Sequence, residues 1–180
     1  MLMNTHEARL DALRGELKRR DLDGFVIPIS DEHMSEYVGA YAQRLAWLTG
    51  FEGSAGTVVV LTDPARDPAA AIFVDGRYTL QVRDQVDGKF YAYESVPETS
   101  VAKWLGEHAP QGGRIGYDPW LHGKRWVAAA GDALESREAA LIAVESNPVD
   151  AVWADQPAPS PASALIHEEN HAGEGSAAKR

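Results

Sequence analysis

The chain has 180 residues with no cysteine, and its 17 basic and 27 acidic residues give a formal net charge of −10 at pH 7. The lack of cysteine excludes disulfides, thiolate metal sites and a cysteine nucleophile. The acidic surplus disfavours nucleic acid and anionic membranes as partners. Because the sequence shows neither a signal-peptide pattern nor the roughly 18 consecutive apolar residues of a membrane span, we expect a soluble, cytoplasmic protein with one main domain.

The first quarter of the chain predicts a surface helix followed by a buried strand. Residues 5–21 carry leucines at helical spacing on a charged segment, with Thr5 as the expected N-cap. The apolar run 25–29 is typical of a short strand inside an α/β sheet, ending near Pro28. Residues 31–49 mix polar and aromatic positions, which indicates one or two short helices beneath a loop.

The middle and end of the chain alternate between strand and helix patterns. Residues 57–62 and 69–74 are two apolar runs joined by a polar, proline-containing loop, which predicts an antiparallel hairpin. Alternating elements then follow: a helix after Gly76, a strand at 90–93, a helix at 100–108, a strand at 114–117, a helix at 122–136 and a strand at 140–144. We therefore expect an α/β fold with a mixed β-sheet of about six strands flanked by helices on both faces.

The composition changes sharply after residue 155. Residues 156–161 (QPAPSP) can continue neither a helix nor a central strand, so they predict a semi-rigid extended linker. We divide the chain into one domain, residues 1–155, and a proline-rich linker with the segment that follows it, residues 156–180.

Residues 50–56 (GFEGSAG) place a glycine at every third position. A phosphate-binding loop follows a strand and opens a helix, whereas this loop follows a helical segment and enters a strand, so a nucleotide site is disfavoured. We expect the glycines to supply positive φ angles and close backbone approach. Ser54 lacks the glycine two residues earlier that a nucleophile elbow requires, because residue 52 is glutamate.

Two further groups of polar residues carry candidate chemistry. Asp31, His33 and Glu36 offer oxygen and nitrogen ligands, but neighbouring residues seldom all face one ion, and we predict no metal site in this chain. Arg77 follows a strand on a glycine turn, where its guanidinium can bind a carboxylate with two hydrogen bonds. Two interpretations of Arg77 stay open: a contact with substrate in a cleft, or an internal ion pair with Asp75 or Asp31.

Four segments together resemble the amino-terminal domain of the Xaa-Pro aminopeptidases (aminopeptidase P) in the creatinase-like superfamily. They are residues 31–37 (DEHMSEY), 50–57 (GFEGSAGT), 75–78 (DGRY) and 147–153 (NPVDAVW). The resemblance runs nearly end to end and implies a fold of the creatinase N-terminal-domain type. It also implies that residues 156–180 are the linker and the start of the next domain. It also implies a non-catalytic domain of a metal-dependent enzyme that removes the amino-terminal residue preceding a proline.

The resemblance implies roles for a few residues and partners. Arg77 and His33 are the expected substrate-binding residues, and no catalytic, cofactor-binding or metal-binding residue is assigned to this chain. Arg44 matches a basic position of the family, but the usual second arginine is Leu45 here. The domain is expected to contribute to the substrate cleft and to a homodimer, while a separate catalytic domain holds two divalent metal ions, expected to be Mn²⁺.

The expected partners are the enzyme's own second and catalytic domains and peptides with proline second. Two alternatives stay open. The chain could be the amino-terminal domain of a related prolidase- or creatinase-type hydrolase, or a stand-alone binding module with this fold. The fit of the glycine-rich segment together with residues 75–78 favours aminopeptidase P over creatinase.

Overall fold

The computed structural model describes residues 5–180 of the chain. Its sheet strands are Gly24–Pro28 (β1), Thr57–Leu61 (β2), Ala70–Asp75 (β3), Ala92–Val96 (β4), Arg114–Tyr117 (β5) and Ala140–Ala143 (β6). Its α-helices are Thr5–Arg19 (α1), Arg44–Thr49 (α2), Gln81–Gln85 (α3), Val101–His108 (α4), Lys124–Glu135 (α5), Pro148–Val152 (α6) and Glu169–Ala172 (α7). Within residues 5–180, no helix is both long and apolar enough to cross a membrane.

The six strands form one mixed sheet in the order β4-β3-β2-β1-β5-β6. β2 pairs antiparallel with β1 and β3, whereas the pairs β1–β5, β3–β4 and β5–β6 are parallel. β2 therefore runs against the other five strands. The predicted mixed sheet and the predicted β2–β3 hairpin are both confirmed.

Successive side chains of the central strands point to opposite faces of the sheet, and each face has its own core. Phe25 and Ile27 of β1 pack with the leucines of α1 and α2. Val26, between them, packs on the other face with Trp104 of α4 and residues of α5. Both faces of the sheet are apolar, and each is covered by helices that keep it from water. The predicted helices on both faces of the sheet are therefore confirmed.

Two predicted elements lie at other positions than the sequence suggested. The predicted strand at residues 90–93 begins later, at Ala92, because the buried Tyr91 belongs to the core ahead of the strand. The helix predicted after Gly76 is short and begins only at Gln81, and Leu80, the residue before it, is exposed. Helix α1 begins at Thr5, and the residues before it lie outside the described part of the chain.

The short helix α6 follows the last strand of the sheet. Asn147 caps this helix by accepting a hydrogen bond from the Val149 N–H at 3.0 Å, and Pro148 occupies its first turn. Asn147 also donates to Asp118 at 3.0 Å, which joins the helix start to the loop after β5. Residues 157–168 then form no helix or strand.

Candidate functional site

The topology brings the polar segments to one edge of the sheet. The segments that follow β1, β3 and β5 leave at the carboxyl ends of parallel strands, and the glycine-rich loop enters the same edge because β2 runs in the opposite direction. The segment after β1 and the glycine-rich loop touch directly, since the Ile29 N–H donates to the Gly56 carbonyl at 3.0 Å. We call this end of the sheet the carboxyl edge. It is the usual location of ligand sites in α/β sheets.

The glycine-rich loop is built around the buried ring of Phe51. Gly50 has φ +83° and ends α2 in the left-handed conformation that suits glycine. A Cβ at Gly53 would lie 2.3 Å from Phe51 Cζ, and one at Gly56 would lie 3.0 Å from Phe51 Cε1. The loop thus needs glycine for one positive φ angle and for two close approaches, as the sequence predicted.

A hydrogen bond joins the glycine-rich loop to the segment after β3. The hydroxyls of Ser54 and Tyr78 lie 2.8 Å apart, and the rings of Tyr78 and Phe51 meet edge to face with centroids 5.6 Å apart. The bond to Ser54 lowers the pKa of Tyr78. Ser54 is therefore engaged with a tyrosine, an arrangement that holds two loops together.

Arg77 forms an ion pair with Asp75 at the tip of its turn. Its Nη2 donates to Asp75 Oδ2 at 2.8 Å and its Nε to Asp75 Oδ1 at 3.0 Å, and these bonds lower the pKa of Asp75. The Arg77 backbone N–H also donates to Asp75 Oδ1 at 2.9 Å. The side chain remains 63% exposed, so it is accessible to a further ligand.

The carboxylate of Asp31 accepts hydrogen bonds from its own turn. Its Oδ1 accepts the backbone N–H groups of His33 at 3.0 Å and Ser35 at 2.9 Å. Burial tends to raise the pKa of Asp31, but the bonds from Ser35 and His33 outweigh it and lower this pKa. The partner of Arg77 is therefore Asp75, not Asp31. Glu36, in the same segment as Asp31, is close enough to add to the raised pKa of Arg77.

His33 projects from this turn into solvent. Its imidazole is 73% exposed, and its Nε2 lies 3.8 Å from Glu32 Oε1. Within residues 5–180, no three histidine or acidic side chains converge on a point where a metal ion could be held. The structure thus brings Arg77 and His33 to the carboxyl edge, and their proposed contact with substrate stays a prediction.

The carboxyl edge also carries apolar side chains that the domain does not bury. Trp120, in the loop after β5, is 74% exposed, and Tyr37 and Met34, in the segment after β1, are exposed as well. Beside the glycine-rich loop, an apolar cavity of ≈ 430 Å³ opens between the sheet and helices α4 and α5. Exposed aromatic and apolar groups close together are typical of a surface that binds another protein surface.

The sequence did not reveal a buried ion pair behind this edge. Arg44 of α2 donates from Nε and Nη2 to the two carboxylate oxygens of Asp150 in α6, at 2.6 and 2.8 Å. Arg44 is only 8% exposed. Spacing along the chain could not predict this pair, because the two residues are 106 positions apart. The available signal was chemical, since a buried guanidinium requires a carboxylate partner.

Comparison with known proteins identifies the family. Residues 9–151 match the creatinase/prolidase N-terminal domain. Human Xaa-Pro aminopeptidase 2 is 37% identical over 152 residues, which are 84% of this chain and 22% of the human protein. A probable Xaa-Pro aminopeptidase P from Neurospora crassa is 35% identical over 185 aligned positions, which cover 99% of this chain and 26% of that protein. The chain thus spans about a quarter of these curated relatives.

Solved structures show the same relationship. An X-prolyl aminopeptidase from Caenorhabditis elegans, described as a cytosolic enzyme with a di-nuclear active site, superposes with a TM-score of 0.84 and 26% identity over 98% of this chain and 30% of that chain. The N-terminal domain of the cytoplasmic peptidase PepQ from Mycobacterium tuberculosis gives a TM-score of 0.60 and 26% identity over 81% of this chain and 98% of that domain. The chain therefore belongs to the creatinase/prolidase N-terminal domain family and is of the type that the Xaa-Pro aminopeptidases carry.

Proposed function

We propose that this chain serves as the non-catalytic amino-terminal domain of a metal-dependent Xaa-Pro aminopeptidase, an enzyme that removes the amino-terminal residue preceding proline. The observation that carries the proposal is the 37% identity to human Xaa-Pro aminopeptidase 2 across 84% of the chain. The fold supports it, because this chain superposes on part of an X-prolyl aminopeptidase from C. elegans.

The catalytic metal ions belong to another domain in this proposal. The C. elegans relative has a di-nuclear active site, whereas residues 5–180 of this chain offer no cluster of metal-binding side chains. The carboxylate of Asp31, the most buried acidic group of the carboxyl edge, is already bonded to two backbone N–H groups. The residues present do not fit a metal centre, so two divalent ions, expected to be Mn²⁺, would be held by the catalytic domain.

The carboxyl edge is the part of this domain that would line the substrate cleft. The guanidinium of Arg77 stays positively charged and is exposed to solvent. Its N–H groups can donate hydrogen bonds to a carboxylate or a carbonyl oxygen of a peptide. His33 lies in the neighbouring segment with its ring exposed. In this proposal both side chains face peptides with proline second.

The exposed apolar groups of the same edge support contact with the rest of the enzyme. Trp120 and Tyr37 would be buried against the second and catalytic domains or against a second subunit of a homodimer. The cytosolic C. elegans relative supports a cytoplasmic location.

The experiment is an activity assay at two chain lengths. The 180-residue chain should hydrolyse no Xaa-Pro peptide with added Mn²⁺ or Zn²⁺, because residues 5–180 offer no group of ligands that could hold a metal ion and activate its bound water. The second sample is the longer protein expressed from the same open reading frame continued past Arg180. After it is loaded with metal, it should cleave an Xaa-Pro-Xaa tripeptide. Cleavage of Xaa-Pro dipeptides alone, or of creatine, would assign the domain to a prolidase or a creatinase. A frame that ends without a catalytic domain would favour the stand-alone module.

A further inference from the structure

The exit from the domain is held by a buried ion pair and a ring stack. Asp150 receives two hydrogen bonds from the buried Arg44 guanidinium, and the nearby charges of Asp150 and Asp118 keep the pKa of Arg44 raised despite its burial. Three residues further on, Trp153 stacks on Trp47 with ring centroids 5.4 Å apart. Helix α6 and the residue after it are thereby held against α2 at two points.

Gln156 extends this fixed region by one more step. Its Nε2 donates to Asp150 Oδ1 at 2.8 Å and to the Tyr41 carbonyl at 2.8 Å. Both partners are acceptors, so the site requires a side chain that can donate two hydrogens, which a glutamine amide does and a carboxylate does not. The Gln156 backbone N–H also donates to the Trp153 carbonyl at 3.1 Å.

The same contacts reach the loop that carries His33. Tyr41, whose carbonyl accepts from Gln156, donates its hydroxyl to Glu32 Oε1 at 2.9 Å. A continuous set of hydrogen bonds therefore runs from the linker to residues 31–37 at the carboxyl edge. Beyond Gln156 the chain is exposed throughout residues 157–171, so Gln156 is the last partly buried residue ahead of this exposed segment.

We propose that Gln156, held by the Arg44–Asp150 pair, is a positioning residue that sets where the chain leaves the domain and ties that point to the loop of His33. This inference rests on the proposed function in that a second domain follows the linker. Without the Gln156 contacts, the last fixed point moves back to Trp153. Three more residues then become free, which adds roughly 10 Å of reach at about 3.3–3.6 Å per residue.

The consequence is a looser placement of the following domain over the carboxyl edge. A tether with more free residues samples a larger volume, so the fraction of time in the productive arrangement falls. The chemistry of the catalytic domain and its metal content would not change. A substitution of Gln156 should therefore lower the fraction of molecules in which the two domains form the cleft. It should leave the stability of each domain nearly unchanged.

The test on this chain is hydrogen exchange of the Gln156 amide in two variants. Gln156→Ala removes both side-chain donations, and the isosteric Gln156→Glu also sets a carboxylate beside Asp150. We expect amide exchange at Gln156 to accelerate about tenfold in Gln156→Ala, and further in Gln156→Glu, with a melting temperature close to that of the wild type. The control is Gln111→Ala, an exposed glutamine far along the chain. Equal exchange in wild type and Gln156→Ala would overturn the proposal.

The second arm uses the longer enzyme that the proposed function expects the open reading frame to encode. Gln156→Glu should lower kcat/KM for an Xaa-Pro-Xaa peptide several-fold while metal content and melting temperature stay unchanged. Unchanged kcat/KM in an active enzyme would overturn the positioning role. If the longer enzyme cleaves no Xaa-Pro peptide, the proposed function fails, and the exchange measurement on the 180-residue chain still decides whether Gln156 anchors the linker.

Discussion

The hydroxyl groups of Ser54 and Tyr78 lie 2.8 Å apart, and this bond joins the glycine-rich loop to the turn that carries Arg77. Tyr78→Phe keeps the edge-to-face contact with Phe51 and removes only the hydroxyl. We expect a melting temperature lower by a few degrees, since one partly buried hydrogen bond is lost. Ser54→Ala should give a similar decrease, measured by thermal unfolding.

A double mutant separates this bond from unrelated effects. If Ser54 and Tyr78 act through their mutual contact, the double mutant Ser54→Ala/Tyr78→Phe should be scarcely less stable than either single mutant. Fully additive decreases would contradict a direct bond between the two loops.

The glycine at position 53 is required by packing. A Cβ there would lie 2.3 Å from Phe51 Cζ and 2.9 Å from Tyr78 Cδ1, and neither ring can move away without disturbing the loop. Gly53→Ala should lower the free energy of unfolding by about 1–3 kcal/mol. Gly131→Ala, in the interior of α5 where an added Cβ would meet no atom beyond its own stretch of helix backbone within 4 Å, should raise it by about 0.5–1 kcal/mol. Denaturant unfolding measures both, and two changes of the same sign would contradict the packing interpretation.

The alternation of strands and helices was predictable because each element has a strong local pattern. The runs at β1, β2 and β3 are almost wholly apolar, as buried central strands must be. Residues 90–96 lack such a pattern, since Phe90 and Tyr91 pack in the core ahead of an edge strand with partly exposed side chains. The start of β4 was misplaced for this reason.

The candidate site was predictable only in part. The resemblance pointed to Arg77 and His33, but which segments meet depends on strand order, and strand order is set by packing between distant parts of the chain. The reversed direction of β2 brings the glycine-rich loop to the same edge as Arg77. The Arg44–Asp150 pair is equally non-local. The boundary near residue 155 stays a prediction, although Gln156 shows that the linker's first residue is bound.

His122, in the loop after β5, should make the free energy of unfolding depend on pH just below neutrality. The ring of His122 packs on Trp126 with centroids 4.0 Å apart, and its Nδ1 lies 2.9 Å from the Asp118 carbonyl. Burial lowers the pKa of His122 below its ordinary value of 6.5, against a smaller opposing effect of Asp118. The unfolded chain therefore binds the proton first as the pH falls, and the contribution of His122 to stability is lost as the pH decreases below about 6.5.

Thermal unfolding at about pH 7.5 and 5.5 checks this expectation. The melting temperature of the wild type should fall more between these pH values than that of His122→Phe, which retains a flat ring and cannot be protonated. His167→Phe, in the exposed segment after the domain, is the matched control and should behave as the wild type. An identical pH dependence in His122→Phe and wild type would show that His122 titrates alike in the folded and unfolded chains.

Arg77 has two possible roles that one mutant can separate, provided it is studied in the longer enzyme. In its ion pair with Asp75 the arginine is 63% and the aspartate 34% exposed, and solvent-accessible pairs contribute little to stability. If the guanidinium also binds the peptide, Arg77→Ala should lower kcat/KM by roughly ten- to a thousandfold. Arg77→Lys should recover part of the loss, since a lysine keeps the charge and loses the two-pronged geometry. Arg125→Ala, at an exposed position on α5, is the control.

Metal content and melting temperature must be measured on the same Arg77→Ala sample. A large decrease in kcat/KM with both quantities unchanged would assign Arg77 to the substrate, because the loss of a surface ion pair cannot produce it. A lower melting temperature with normal kcat/KM would instead limit Arg77 to holding the turn through Asp75. In that second case His33, whose ring is 73% exposed, is the remaining candidate for contact with the peptide. If His33 makes that contact, His33→Ala should lower kcat/KM without changing stability. An unchanged kcat/KM would leave neither residue with a role in substrate binding.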